Sequence, residues 1–387
     1  MDNRVSVARC PDYQAERLDQ AVAEALAPLG GIGRFVKPGQ KVFLKCNLLM
    51  KRRPETATTT HPALVEAVVR QVQQVGGIAI LGDSPGGPFT PKSLQGIYDT
   101  CGLTAVAEHT GCQLNFDCSS AKVHFPDGRT MQHVPLIKAA READVLINLP
   151  KLKTHGITLI TAAVKNLYGL IPGLTKIEYH LRLPDHQHFS SFLVDLCRLV
   201  QPDLTILDAV YGMEGHGPSG GNPIAVGAVA ASPNPFALDV VAATLAGVKP
   251  ERVTTVAAAK QMGLHSGLLQ DVQLLGSLDG ICRQFATPQL MPRADFLSRW
   301  LPRSLAERIT RWASPRPVFI PEVCVGCGVC VNSCPPQALS GASYPPQVDL
   351  RKCIRCFCCQ EMCPAKAIKV QQPPVTRLFF GRHSDSH

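Results

Sequence analysis

Aromatic residues fill 6% of the 387 positions, two of them tryptophan, and 18% of the chain is charged. No uninterrupted apolar stretch approaches the roughly 20 residues of a membrane-spanning helix, which excludes a bilayer-crossing segment of that kind. The start lacks the charged, apolar and small-residue succession of a secretory signal, and the cysteines outside the C-terminal region are scattered singly. A reducing, cytoplasmic compartment is therefore expected, and a disulfide framework is not. The formal net charge of +9 is moderate for this length. No dense lysine and arginine run interleaves with aromatics, so nucleic-acid binding is not expected. There is no Walker A spacing and no G-x-G-x-x-G between a strand and a helix, so neither phosphate fingerprint explains the glycines. Apart from one pair of cysteine runs, no internal repeat or low-complexity segment is present.

That pair of runs is the strongest signal. Cys324, Cys327, Cys330 and Cys334 are followed by Pro335, and Cys353, Cys356, Cys359 and Cys363 by Pro364. Each has the C-x2-C-x2-C-x3-C-P spacing of a two-cluster ferredoxin, in which three close cysteines hold one 4Fe-4S cluster and the fourth crosses to the other. The expected metal ligands are Cys324, Cys327, Cys330 and Cys363 for the first cluster, and Cys353, Cys356, Cys359 and Cys334 for the second. Structural zinc is the alternative, but zinc sites usually pair C-x2-C units across longer gaps. Cys358 also lies inside the second run. Only Cys359 preserves the repeat, so Cys358 is read as a packed residue beside the ligands. Cluster-bound thiolates would also lower the formal charge.

Short β-branched apolar runs alternate with longer helical patterns up to about residue 285. They predict an α/β domain with a mostly parallel sheet covered by helices. A connector (286–317), a small C-terminal α+β ferredoxin-like iron-sulfur domain (318–372) and a tail (373–387) complete the expected layout. Strands are expected at Lys41–Lys45, Ile78–Leu81, Asp144–Leu149, Leu204–Leu207 and Ala225–Ala230. Helices are expected at His61–Val75, Phe189–Val200 and, begun by proline, Pro235–Leu245. In the connector, Phe296, Leu297, Trp300, Leu301, Leu305, Ile309 and Trp312 recur near helical spacing among arginines, and Pro302 divides two helices. An amphipathic linker packed on the large domain is the preferred reading, and a membrane-surface or partner-docking helix the alternative.

Chemistry in an open α/β sheet sits beyond the carboxyl ends of the strands, and there this chain is unusually polar and glycine-rich. Lys45-Cys46-Asn47 follows the first predicted strand, and Gly82-Asp83-Ser84-Pro85-Gly86-Gly87 the second. Pro150-Lys151-Leu152-Lys153-Thr154-His155, read as a loop, follows the third, and a helix with Lys165-Asn166 comes next. Asp208 ends a strand and leads into the loop Met213-Glu214-Gly215-His216-Gly217-Pro218. Lysines among asparagine, threonine and glycine suit a phosphate or carboxylate ligand, because ammonium groups and backbone N–H groups both favour an anion. Asp83, Asp208 and Glu214 alternatively supply oxygen ligands to a divalent cation or move protons. One glycine-rich loop is usually only a turn, whereas four at the same sheet end point to a shared site. His180, His186 and His188 are read as loop histidines rather than metal ligands, with His155 and His180 kept as candidate proton donors. Cys46, Cys101, Cys112, Cys118, Cys197 and Cys282 are read as small buried residues, Cys46 beside Lys45 being the one worth testing.

These loops, in this order, resemble the family called domain of unknown function 362, which often carries a ferredoxin module. The resemblance rests on Lys45-Cys46-Asn47, His61-Pro62, Gly82-Asp83-Ser84, Leu149 to His155, Val164 to Gly169, Asp208, and Met213 to Pro218. It spans roughly residues 30 to 260, with the ferredoxin match at 320 to 370. It implies an α/β domain joined to iron-sulfur clusters and no settled reaction.

The function expected from the sequence is that of an iron-sulfur oxidoreductase passing single electrons through two 4Fe-4S clusters to a substrate or an anionic organic cofactor. Lys45, Asn47, Asp83, Ser84, Lys153, Asn166 and Asp208 are the candidate ligand-binding residues, and His155, Glu214 and Lys165 the candidate catalytic ones. The alternative is a non-catalytic ferredoxin-type electron carrier whose large domain docks partners. A redox-responsive regulator is a third class, supported only by the basic balance. A redox partner protein is expected in every case, with peripheral membrane contact left to the connector.

Overall fold

The computed structural model describes residues 2–173, 175–183, 185–288 and 314–371, with Pro302 and Leu305, apart from the side chains of Ile177 and His180. The connector helices expected between Phe296 and Trp312 and the C-terminal tail otherwise lie outside the described residues. The chain divides into two compact units, Met1–Pro288 and Gln289–His387.

In the large unit β1 (Arg4–Arg9) leads to α1 (Ala15–Leu26), and β2 (Lys41–Lys45) to α2 (Pro62–Gln74). β3 (Ile78–Gly82) is followed by α3 (Pro91–Cys101), α4 (Leu103–Thr110) and the short β4 (Gln113–Leu114). A hairpin of β5 (Ser120–His124) and β6 (His133–Ile137) and the short α5 (Lys138–Arg141) precede β7 (Val145–Asn148). Then come β8 (Lys151–His155), β9 (Leu159–Thr161), α6 (Ala163–Asn166), α7 (Thr175–Arg182) and α8 (His186–Val200). The unit ends with β10 (Leu204–Glu214), β11 (Asn222–Ser232), α9 (Pro235–Leu245), α10 (Thr254–Gln261) and β12 (Gln273–Leu275).

One large sheet runs in the order β12-β1-β11-β10-β7-β2-β3-β4, with β8 added on β10 and β9 on β8. The run β10-β7-β2-β3-β4 is parallel, and β11 is antiparallel to both of its neighbours. The fold is therefore the expected α/β type with a mostly parallel, mixed sheet. Strand alternation distributes the core to the two faces. Val42, Leu44, Val145 and Ile147 pack with α1 and α2, whereas Phe43 and Leu146 pack with Phe189, Phe192 and Leu193 of α8.

Helix starts follow local chemistry. Pro62 and Pro235 open α2 and α9, where a missing N–H costs nothing. His61 Nδ1 accepts from Ala63 N, and Asp185 caps α8 at the amides of Gln187 and His188. His186 and His188 thus belong to a helix start rather than to a loop.

Two loop expectations are corrected. Lys151–His155 is strand β8, buried at every position, and Met213 and Glu214 belong to β10, which runs well past Leu207. The causes are linked. β8 pairs parallel to the far half of β10, matching Lys151 with Asp208 and Lys153 with Met213 across a bulge. A fully buried strand of lysine, threonine and histidine shows no apolar alternation, so its sequence reads as a loop.

The small unit is a repeat with a spacing of 29 residues, from Cys324 to Cys353. Its elements are β13 (Arg316–Phe319), α11 (Val329–Asn332), β14 (Leu339–Ser340), β15 (Gln347–Val348), α12 (Cys358–Glu361) and β16 (Ile368–Gln371). β13 pairs with β16 and β14 with β15, both antiparallel. Left-handed backbone recurs at matched positions: Gly326 with Arg355, Gly328 with Phe357, and Gln337 with Lys366.

Asn234 gives a test of the packing. Its Oδ1 accepts from Phe236 N at 3.0 Å and Ala237 N at 3.4 Å while its amide reaches Asn3 at 2.8 Å. Asn234→Ala is expected to cost about 1–2 kcal/mol, seen as a lower urea midpoint in far-UV circular dichroism, with Asn234→Ser losing less.

Candidate functional site

Four parallel strands end at the same edge of the large sheet, and the side chains there form a buried polar network. Register places Lys45, the last residue of β2, opposite Gly82, so that the next residue, Asp83, meets its ammonium. The ion pair spans 2.8 Å with both side chains withdrawn from solvent. Asp83 Oδ2 also accepts from Leu48 N at 2.7 Å, and Lys45 donates to Cys46 O at 2.6 Å. Gly169 closes over the pair, its carbonyl accepting from Ser84 N at 2.9 Å. A Cβ at Gly169 would overlap Asp83 Oδ1 and lie 2.6 Å from Lys45 Nζ.

Asparagines extend the network. Asn166 Nδ2 donates to Asn148 Oδ1 at 2.8 Å, and Asn47 Nδ2 donates to Asn166 Oδ1 at 2.9 Å. Lys153 Nζ reaches Asn47 Oδ1 and Thr58 O, each at 2.7 Å. A second buried ion pair, Lys151 to Asp208 at 2.9 Å, lies beside it. Tyr13 Oη donates to Asp208 Oδ1 at 2.8 Å, His61 N donates to Asp208 Oδ2 at 2.9 Å, and the Tyr13 and His61 rings stack 3.5 Å apart. Burial pushes the Lys151 ammonium down, with Asp208 opposing, and brings His61 to about 4.

Lys176 enters from α7. Its ammonium donates to Ser84 O at 2.6 Å, Ser84 Oγ at 3.2 Å and Ile171 O at 2.5 Å. Burial brings it down to about 7; Asp83 opposes the fall, and the charges of Lys45 and Lys165 add to it. Below the sheet edge, Asp239 of α9 accepts from Ala163 N at 2.7 Å and from Val164 N at 3.4 Å, which holds the start of α6 and hence Asn166. Burial raises its carboxyl to about 7 against those amide bonds.

Lys45, Asn47, Asp83, Ser84, Lys153 and Asn166 are thus brought into one network, with Asp208 joined through the loop carrying Thr58 and His61. The three candidate catalytic residues have contacts of their own. Lys165 lies over the rings of Tyr168 and Phe189 at 4.9 and 5.8 Å. His155 is buried and its Nδ1 accepts from Ile157 N at 3.0 Å. Glu214 turns its Oε2 to Ala286 N at 2.8 Å. Cys46 is fully buried and its thiol is pushed far up by burial, so it is not a reactive thiol. Sequence reasoning missed Tyr13, Asn148, Lys176 and Asp239, and named Lys151 in its loop without making it a candidate site residue. The period of two in β8 was the available signal for Lys151, since it shares a face with Lys153.

In the small unit Cys324, Cys327, Cys330 and Cys363 line one cavity with Phe319 and Tyr344. Burial raises the Cys359 thiol, and the neighbouring Cys356, Cys353 and Cys334 add to the rise, which brings the other four together. Each run therefore contributes three cysteines to one group and its last to the other. Backbone N–H groups already point at the two crossing sulfurs, Ala338 N to Cys334 Sγ and Ala367 N to Cys363 Sγ, each at 3.2 Å. Soft thiols grouped by fours, with amides aimed at sulfur, fit iron-sulfur clusters. Cys358 is buried where the first repeat has Val329, and its thiol is hydrogen-bonded to Cys356.

Gly169→Ala is expected to separate Lys45 from Asp83 and to destabilise the large unit by about 2–4 kcal/mol, read from its urea midpoint. Asp239 gives a pH test. With the folded carboxyl near 7 and the unfolded one at 3.8, its contribution is intact below about pH 4 and is lost as pH rises through 7. The stability of Asp239→Asn relative to the parent should therefore rise by a few kcal/mol between about pH 4 and 7, measured by urea unfolding across that range.

The comparisons with known proteins agree with this division. The profile of the family Domain of unknown function (DUF362) matches residues 42–244, and that of a 4Fe-4S dicluster domain matches residues 316–364. The chain is 38% identical over 272 residues to Thylakoid-associated protein sll1697 of Synechocystis, covering 68% of this chain and 81% of the relative. Among solved structures, the lactate racemase apoprotein of Thermoanaerobacterium thermosaccharolyticum superposes with a TM-score of 0.41 at 12% identity, covering 64% of this chain and 58% of that one. A protein of Thermotoga maritima gives 0.33 at 12% identity over 56% of this chain and 54% of that one. The chain thus spans little more than half the length of these two structures, and likenesses this loose carry no argument about activity. From the sequence matches, the chain belongs to the DUF362 family and carries a 4Fe-4S dicluster domain at its C-terminal side.

Proposed function

We propose that this protein is an iron-sulfur oxidoreductase whose ferredoxin-type unit serves single-electron chemistry on an anionic substrate or organic cofactor held at the carboxyl edge of the large sheet. An iron-sulfur electron-transfer role follows from the dicluster domain. The clusters, when bound, supply single electrons without making or breaking a bond. Cys324, Cys327, Cys330 and Cys363 would hold one, and Cys334, Cys353, Cys356 and Cys359 the other. The observation that carries the substrate part is the gathering of Lys45, Lys153 and Lys176 at one sheet edge, Lys176 being held by Ser84 and Ile171 and lowered by burial to about 7. Such a group binds an anion when protonated and gives up a proton near neutral pH. Lys45 and Asp83 fix Ser84 and Gly169 around it, and Asn47, Asn166 and Lys153 set the neighbouring loop.

No helix among the described residues is long and apolar enough to cross a membrane. We take the protein to work in the cytoplasm, with peripheral membrane contact suggested by the thylakoid association in the relative's name. A non-catalytic carrier is the second reading. It is favoured by the burial of Lys45, Lys151 and Lys153, each 1% exposed or less, which makes the network a scaffold as well as a site.

Native mass spectrometry of protein purified without oxygen is expected to show the chain with two 4Fe-4S clusters and one further small anionic molecule. Cys363→Ala should remove about half of the iron, while Lys176→Met should remove the extra mass and leave the iron in place. Clusters without an extra mass would favour the carrier, and iron-free protein would end the proposal.

A further inference from the structure

The repeat of the small unit allows its two ends to be compared position by position. Before and within the first cysteine run stand Ile320, Glu322, Val323, Val325 and Gly326; at the matching places of the second stand Asp349, Arg351, Lys352, Ile354 and Arg355. The first end is apolar with one acidic residue. Val323 and Val325 are 40% and 70% exposed there, and Tyr344, 51% exposed, lies against Gly326 and Gly328. At these matched positions the second end has three basic residues against one acidic, and the charge of Glu361 also reaches Cys356. The Arg351 side chain is 93% exposed and only 3.6 Å from Asp349, while Lys352 is exposed and Arg355 half-exposed.

Arg355 also stands where the backbone disfavours it. Its φ of 57° is in the left-handed region, and the first repeat fills the same position with Gly326 at 66°. Glycine adopts this conformation without strain and arginine does not. What Arg355 adds to Gly326 is a cation whose charge reaches Cys353.

We propose that the Arg351, Lys352 and Arg355 end is the docking face for an acidic one-electron carrier protein. The inference rests on the reading that the small unit holds two clusters. Positive charge at the mouth of the second cysteine group steers an acidic carrier to the spot where donor and acceptor come closest. Each encounter exchanges one electron, one partner being oxidised as the other is reduced, with no bond made or broken. An anionic lipid surface would use the same cations but has no electron to exchange, and the exposed apolar side chains it would also use lie at the opposite end of the repeat.

The test is stopped-flow electron exchange between the anaerobic full-length holoprotein and a strongly acidic plant-type 2Fe-2S ferredoxin, run in both directions so that the stronger reductant always gives a rate. The second-order rate constant is expected to fall about tenfold or more from low to physiological salt. Arg351→Glu with Lys352→Glu should cost about tenfold at low salt and flatten the salt dependence, with iron content and reduction by dithionite unchanged. Arg355→Gly should slow exchange with the clusters intact, and Glu322→Lys should not slow it. A rate indifferent to salt and to these reversals would overturn the proposal. So would charge reversal that releases the protein from phosphatidylglycerol vesicles and leaves the ferredoxin rate unchanged. Absence of iron from the parent protein would instead remove the cluster reading itself.

Discussion

The large unit depends on placing charge where water does not reach. Lys45 and Asp83 are buried together because adjacent parallel strands end in register, so the side chain closing one strand meets the residue following the next. Taking each ion out of water costs several kcal/mol, which the partner recovers only in good geometry with the remaining polar atoms satisfied. That requirement explains the surroundings: the Leu48 amide on Asp83, the Cys46 carbonyl on Lys45, and glycine at 169. Lys151 and Asp208 use the same device across β8 and β10, where register makes them direct partners. Tyr13 and the His61 amide complete that second pair and tie the start of the chain to the sheet edge.

The small unit is held on a different principle. Its buried cluster among the described residues is Cys330, Leu339, Cys359, Cys363, Ala367 and Ile368, so half of it is cysteine. A domain this short rarely gains enough from apolar burial alone, and metal binding then becomes part of folding. The crossing of Cys334 and Cys363 between groups acts as a staple, because each repeat is closed by a residue of the other. The repeat also separates what the backbone requires from what the surface is for. Three pairs of left-handed positions recur, and two of them are glycine in one copy only.

Much of this was legible in the chain, for physical reasons. Cysteine spacing is a direct imprint of cluster geometry, and the apolar runs of β2, β3 and β7 with their following helices show the periods that burial imposes. Lys151–His155 was not legible as a strand because it is polar yet buried throughout. Lys151 pairs with Asp208 and Lys153 donates to Asn47 and Thr58, all far away in sequence, and no local pattern announces that. Lys176 and Asp239 were hidden for the same reason. Nothing near Lys176 in the chain marks it, since its setting comes from Ser84, Asp83 and Lys45. His155 and Glu214 were visible as polar residues beside glycines, but their amide partners, Ile157 and Ala286, were not.

The titration behaviour of the large unit narrows which of its groups can handle protons near neutral pH. His61 and His186 are both lowered to about 4 by burial, so they act there as neutral rings rather than as acids. Lys176 and Asp239 are brought to about 7 from opposite sides by the same cause, loss of water around the charged form. Their positions differ in consequence. Asp239 is bound to the amides that begin α6, so its proton bears on where Asn166 stands. Lys176 instead faces the loop of Asp83 and Ser84, and a negative charge arriving there would raise its affinity for a proton. On the proposed reading, an electron added to a ligand beside Lys176 would therefore draw a proton toward the same place, which couples the two without requiring a histidine.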